Sequence, residues 1–247
     1  MSDRGGARVA LVTGAGRRVG RAIALDLAAE GWVVAVHHHA SAAGATEVVE
    51  QIRADGGSAA AFAADLTDPT ALEGLIPAVL AWSGRLDALV CSAAGMTRTP
   101  FGSTTAATVD GILALNLRAP FLLAQAAAPR LPNGGAIVLI GDHMADEIWP
   151  DYAMHGVAKA GVHALTRHLA AALAPRVRVN AVAPGLVLPP EGMPRATLER
   201  FVAATPLRRE GTPADVAQAV RFLLDAPFIT GEVLAVDGGR HLGPPPS

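Results

Sequence analysis

The chain has 247 residues, 51% of them apolar, a formal net charge of −2 and an isoelectric point near 6.4. That length and apolar share can bury one large core, and the near-neutral balance excludes the clustered basic field that nucleic acid or an anionic membrane surface requires. One cysteine, Cys91, rules out an internal disulfide framework and agrees with a reducing compartment. The opening MSDRGGARVALVTG holds an apolar run too short for a signal-peptide core, and nowhere do about 18 uncharged apolar residues follow one another. The expectation is a cytoplasmic protein with no membrane and no nucleic-acid partner.

Short runs rich in valine and leucine alternate with alanine-rich segments of helical period. RVALVTG (8–14) predicts a strand and 18–30 a helix; WVVAVHH (32–38) is the next strand, followed by a helix over 43–55. AAAFAAD (59–65) leads to a helix over 69–83 opened by Asp68, and LDALVCS (86–92) to one over 105–129. GAIVLIG (135–141) precedes a helix over 152–174, and RVRVNAVAP (176–184) is the sixth strand. Thr212 or Pro213 opens a helix over 213–225, and GEVLAVDGG (231–239) supplies a seventh strand. Such alternation requires right-handed crossovers, so the predicted fold is α/β, a single doubly wound Rossmann-type domain over 1–247 with a seven-stranded parallel sheet flanked by helices. The least regular stretch, LVLPPEGMPRATLERF (186–201), follows the sixth strand. Ligands in such sheets sit beyond the carboxyl ends of the strands, which makes roughly 186–205 a lid over the site.

The first strand runs straight into TGAGRRVGRAIA (13–24). A glycine-rich turn brings backbone N–H groups close to a pyrophosphate, and the helix behind it offers its positive N-terminus to the same anion. A tight strand-to-helix turn alone also explains glycines, but the strand before and the helix after are the context a dinucleotide site needs. NAD sites commonly place an acid about 20 residues past this turn, whereas a 2′-phosphate requires donors. The second strand ends in His37, His38, His39, Ala40 and Ser41, with no acid before Glu47, which favours NADP(H). Arg17, His37 and Ser41 are the expected phosphate contacts; the plainer reading is a solvated arginine and histidines at a strand end. Three consecutive histidines do not suggest a metal, because neighbours on a strand point to opposite faces.

TGAGRRVG from 13, Asp65 closing the third strand, SAAG at 92–95, Asn116 in LNLRAPF, Lys159 and APG at 183–185 together resemble the short-chain dehydrogenase/reductase pattern over nearly the whole chain. The resemblance lays the nucleotide along Gly14, Gly16, Arg17, Arg18, Val19 and Gly20, then past His37 and Ser41. It continues by Asp65 and Leu66, Ser92, Ala93 and Ala94, to Lys159, Pro184 and Gly185. Arg18 takes the place of the usual middle glycine. With HHHAS (37–41), this is similar to pteridine reductase-like members, which stack their pterin on an aromatic where this chain has Met96.

In that family serine, tyrosine and lysine act together with a supporting asparagine; Lys159 and Asn116 match the last two. His155 stands at the tyrosine position. The serine position falls on or beside Asp142, thirteen residues before His155, a spacing pteridine reductase-like enzymes use for an aspartate. His143 reads as structural or exposed, and Asp142 also fits a turn cap, as Asn116 fits a helix cap. Imidazole is a competent general acid near working pH, though its reach is shorter than a phenol's. Tyr152, the only tyrosine, shares a helical face with His155 and Lys159 if the helix begins after Pro150. The expected catalytic set is Asp142, His155, Lys159 and Asn116. The expected reaction is NADP(H)-dependent hydride transfer to or from a carbonyl, imine or conjugated C=C or C=N bond of a small molecule, pterin-like compounds among them. A nucleotide-binding sensor and a non-redox lyase or isomerase are the alternatives. The resemblance further implies a homotetramer or homodimer through the helices at 105–129 and 152–174.

Overall fold

The computed structural model describes residues 6–189 and 193–243. Its strands are β1 (Val9–Val12), β2 (Val33–His38), β3 (Ala59–Ala63), β4 (Ala88–Cys91), β5 (Gly135–Ile140), β6 (Val177–Pro184) and β7 (Val233–Val236). They form one sheet in the order β3-β2-β1-β4-β5-β6-β7, every pair parallel. Side chains alternate across it. Ala10 and Val12 face one core, while Val9 and Leu11 face the other. Both faces being covered, the strands read as continuous apolar runs.

Helices α1 (Arg18–Ala29), α2 (Ala42–Ala54) and α8 (Pro213–Asp225) cover the first face; α3 (Pro69–Ser83), α5 (Ala119–Ala127) and α6 (Ala153–Leu173) cover the second. Leu11, Leu89, Leu139 and Ile137 are fully buried at the sheet centre, and each contributes about 2 kcal/mol by leaving water. Asp68 caps α3 by accepting the Thr70 N–H, as its position in the sequence implies.

Two elements differ from expectation. The long helix over 105–129 is divided into α4 (Ala106–Leu113) and α5 by a π-helical turn over Ala114–Arg118, which carries Asn116. By length and composition Ala106–Ala127 is apolar enough to span a bilayer. It is broken by this turn, carries Asp110 and Arg118, and buries Leu123, Ala124 and Ala127 in the second core. The irregular stretch after β6 contains helix α7 (Arg195–Ala204); residues 190–192 of the predicted lid lie outside the described residues. The order of β1 and β4 reverses the direction of winding, and the cleft opens there at the carboxyl ends of the strands.

Candidate active site

At the nucleotide end, β1 turns through residues 13–17 into α1. Thr13 ties this turn to β4, its hydroxyl accepting the Ser92 and Ala93 N–H groups at 3.0 Å each. Gly14 sits at φ +65°, and a Cβ there would stand 2.8 Å from the Ala93 Cα, so the two strand ends close up only with glycine. Arg18 adopts φ +53°, a left-handed conformation that costs a side-chain-bearing residue about 1–2 kcal/mol. Its guanidinium donates to the Leu188 carbonyl at 2.7 Å, joining the glycine turn to the segment after β6.

The three histidines at the end of β2 and just beyond it divide by place. His37 is buried: its Nδ1 accepts the Gly14 N–H at 3.1 Å, and its Nε2 lies 3.1 Å from the Ala64 carbonyl and donates to it. Burial lowers its pKa to about 4, so the ring is neutral and has no N–H left for an anion. This corrects the expectation of a phosphate contact. His39, by contrast, is exposed on the cleft with Arg17 and Ser41. Asp65 accepts the Thr67 backbone N–H and hydroxyl at 2.8 and 2.7 Å, which lowers its pKa, and lies 4.0 Å from the His39 Nε2.

At the other end, β5 delivers Asp142 and α6 delivers His155 and Lys159. Gly156 lets α6 press against the short 3-10 turn over His143–Ala145, since a Cβ there would lie 2.9 Å from the Met144 carbonyl. His155, buried, places Nε2 3.4 Å from an Asp142 oxygen and Nδ1 3.2 Å from the Gly95 carbonyl. Both neighbours are acceptors. Only a ring carrying a proton on each nitrogen donates to both. Asn116 grips both polar groups of Gly95, accepting its N–H at 2.9 Å and donating to its carbonyl at 2.8 Å. The π turn thereby positions the carbonyl that His155 faces.

Burial pushes the Asp142 carboxyl up, but hydrogen bonds from His143 and His155 and the nearby Lys159 charge outweigh it and hold the group well below the usual carboxylate range. Lys159, buried, donates to the Ile140 carbonyl at 2.7 Å; desolvation lowers its pKa against the opposing pull of Asp142 and Cys91.

The cleft measures about 500 Å³. Part of its wall is apolar: Met96, Met144, Trp149, Leu186, Val187 and Met193 line it, and Trp149 stacks on Phe201 at 4.9 Å. Tyr152 lies in a 3-10 turn over Pro150–Tyr152, ahead of α6, with its ring edge-on to Trp149 at 6.1 Å. Among the described residues it does not line the cleft. The residues expected around the nucleotide do line it, except Gly16, which underlies Ser41: a Cβ on Gly16 would meet the serine oxygen at 2.6 Å. Asn116 acts from beneath, through Gly95. Sequence reasoning missed Thr13, His39 and Gly95 as parts of the site; the strand end at His38, which leaves His39 in the loop beside Ser41, was the available signal for His39.

A family profile described as enoyl-(acyl carrier protein) reductase matches residues 14–241. An uncharacterized oxidoreductase of Methylorubrum extorquens is 38% identical, over 94% of this chain and 97% of its own. Among solved structures, a blue fluorescent protein from a metagenomic library in complex with NADPH is 33% identical with a TM-score of 0.89, covering 94% of this chain and 97% of its own. The angucycline C-6 ketoreductase LanV with bound NADP is 34% identical with a TM-score of 0.89, covering 96% of both chains. Sequence match, sheet order and cleft agree, and the chain belongs to the short-chain dehydrogenase/reductase family of oxidoreductases.

Proposed function

We propose that the protein is an NADP(H)-dependent reductase or dehydrogenase in which His155 takes the place of the proton-donating tyrosine. The observation that carries this reading is the buried His155 held between Asp142 and Gly95 beside Lys159, on the cleft of a chain similar to two structures that hold NADPH or NADP. The residues present fit such a nucleotide. Arg17, His39 and Ser41 offer donors at the end of β2, where the loop to α2 carries no acid of its own, and the Gly14 turn permits close backbone approach. His37 braces that turn from behind.

Bound nicotinamide supplies or accepts the hydride. The chain's residues manage the proton and the position of the substrate. Nδ1 of His155 is turned inward onto Gly95, so its Nε2 proton is the mobile one, and a substrate oxygen or nitrogen takes the place of Asp142 as its acceptor. The ionised Asp142 keeps the ring oriented, and Lys159, anchored on Ile140, adds a positive charge where negative charge develops on the substrate. The apolar wall selects an uncharged carbonyl, imine or conjugated C=C or C=N compound. A pterin-like heterocycle belongs to this class and draws support from Arg18 and the Asp142 spacing, while Met96 in place of a flat ring supports other conjugated rings equally. A sensor or a lyase is not favoured beside oxidoreductase relatives. We further propose a cytoplasmic homodimer or homotetramer formed through α4–α5 and α6, with residues 186–205 as the lid.

The test is NADPH oxidation over dihydropterins, quinones, enones, ketones and imines, with NADH in parallel. His155→Ala is expected to lose about 10²- to 10⁴-fold in turnover. Arg17→Ala is expected to weaken NADPH binding about 10- to 100-fold and leave NADH unchanged, the loss of one charge-assisted contact. Full activity in His155→Ala would sink the donor assignment.

A further inference from the structure

His143 lies outside the hydride-transfer machinery, yet it is the one described residue that lines both the active cleft and a second cavity of about 340 Å³. The second cavity is lined by the charged or titratable side chains of Asp146, Glu147, Asp237, Arg240 and His241 together with Ala183, Ala204 and Ala235. Water held beside those charged groups can exchange protons with solvent.

The ring of His143 is set across this partition with its two nitrogens in different places. Nδ1 lies 3.0 Å from an Asp142 oxygen and 3.2 Å from the Pro184 carbonyl of β6. Both are acceptors, so Nδ1 carries the proton in the neutral ring. Nε2 points the other way, 3.8 Å from Glu147, beyond a direct hydrogen bond. Glu147 is itself taken up by Arg240, which donates to it through two nitrogens at 2.6 and 2.7 Å. In the neutral ring Nε2 is therefore a lone pair facing the second cavity.

We infer that His143 is a proton relay, loaded at Nε2 from the second cavity and unloaded from Nδ1 onto Asp142, which recharges His155 after each turnover. This rests on His155 as the donor. The continuous line is His155 Nε2 to Asp142 at 3.4 Å, then the other Asp142 oxygen to His143 Nδ1 at 3.0 Å. Each reduction takes one hydride and one proton into the substrate. His155 loses that proton, Asp142 takes one from His143 Nδ1 and, as its carboxyl turns, passes it to His155 Nε2, and water in the second cavity returns one to His143 Nε2; a turn of the His143 ring, which exchanges the places of its two nitrogens, then restores the starting tautomer. Oxidation runs the line in reverse.

The charged groups around His143 suit the task. Asp142 and Glu147 flank it from its own segment, the Trp149 ring stands edge-on at 5.8 Å, and Asp237, Arg240 and His241 share the second cavity. Burial lowers the His143 pKa, but Asp142, Glu147 and the Pro184 carbonyl raise it to a net value above that of an ordinary histidine. A turn-capping role would explain Asp142 accepting the Met144 N–H at 2.8 Å, but it makes no use of Nε2 or of the cavity beyond.

His143→Asn separates the two. Asparagine keeps a donor toward Asp142 and Pro184 and has no second nitrogen that titrates. With the panel compound that turns over fastest, kcat is expected to fall at least about tenfold with KM unchanged, and the solvent isotope effect on kcat to rise. Added imidazole should restore kcat. The first turnover, whose proton is already on His155, should keep the wild-type rate of NADPH loss. Should His143→Asn not fold, His143→Gln makes the same comparison. Wild-type kcat without sensitivity to imidazole overturns the relay and leaves the His155 assignment standing, because that assignment is tested by His155→Ala. No NADPH oxidation by the wild-type protein overturns both.

Discussion

His37 makes the glycine turn sensitive to acid. Its pKa is about 4 in the folded chain against an ordinary value of 6.5, so the unfolded chain binds the extra proton between those limits. The stabilisation it gives is complete above pH 6.5 and is lost as pH falls toward 4, amounting to about 3 kcal/mol. Urea unfolding across that window is expected to show this slope in the wild type, and His37→Asn, which keeps an acceptor for Gly14, to flatten it; equal slopes would show that His37 does not titrate on unfolding. The same residue marks what was legible in the sequence. That a histidine-rich strand end and an acid-free loop lie here could be read directly, but which histidine turns inward depends on the Gly14 N–H and the Ala64 carbonyl, groups brought together only by tertiary packing. His155 at its spacing from Asp142 and Lys159 was legible because family spacing carries it. Its contact with Gly95 was not, since sixty residues separate them.

At the scale of elements, punctuation in the sequence was most reliable where it acts locally. Thr212 and Asp215 form a reciprocal capping box at the start of α8, with Asp215 accepting the Thr212 N–H at 2.7 Å and Thr212 accepting the Asp215 N–H at 3.2 Å. Loss of this cap costs about 1 kcal/mol, and Thr212→Ala is expected to lower Tm by about 2–4 °C in a thermal melt. An unchanged melting point would mean that α8 is held by its packing on Ile23, Ala24 and Leu27 alone. The π turn within 105–129 left no comparable mark. Its extra residue is set by Asn116 reaching Gly95, and an alanine- and leucine-rich run reads as one helix whether or not a residue is inserted. Helix α7 was hidden by the prolines ahead of it, which made the whole stretch look irregular.

For the whole molecule, seven strand runs and their intervening helices fixed a parallel sheet, and the observed order is the one such winding produces. Assembly follows from what the covering helices leave outside. Phe121 on α5 and Val157 on α6 are 42% and 57% exposed, on the elements proposed to join the subunits. Sedimentation is expected to show a dimer or tetramer that Phe121→Asp shifts toward monomer; a monomeric wild type would rule the assembly out. One link seen in the structure also bears on the sequence of events in a catalytic cycle. Arg18 belongs to the turn beneath the nucleotide and grips the Leu188 carbonyl on the wall that meets the substrate. A nucleotide that steadies the turn steadies the wall with it, so the nucleotide is expected on first and off last, an order that product-inhibition kinetics would show and that a random order would rule out.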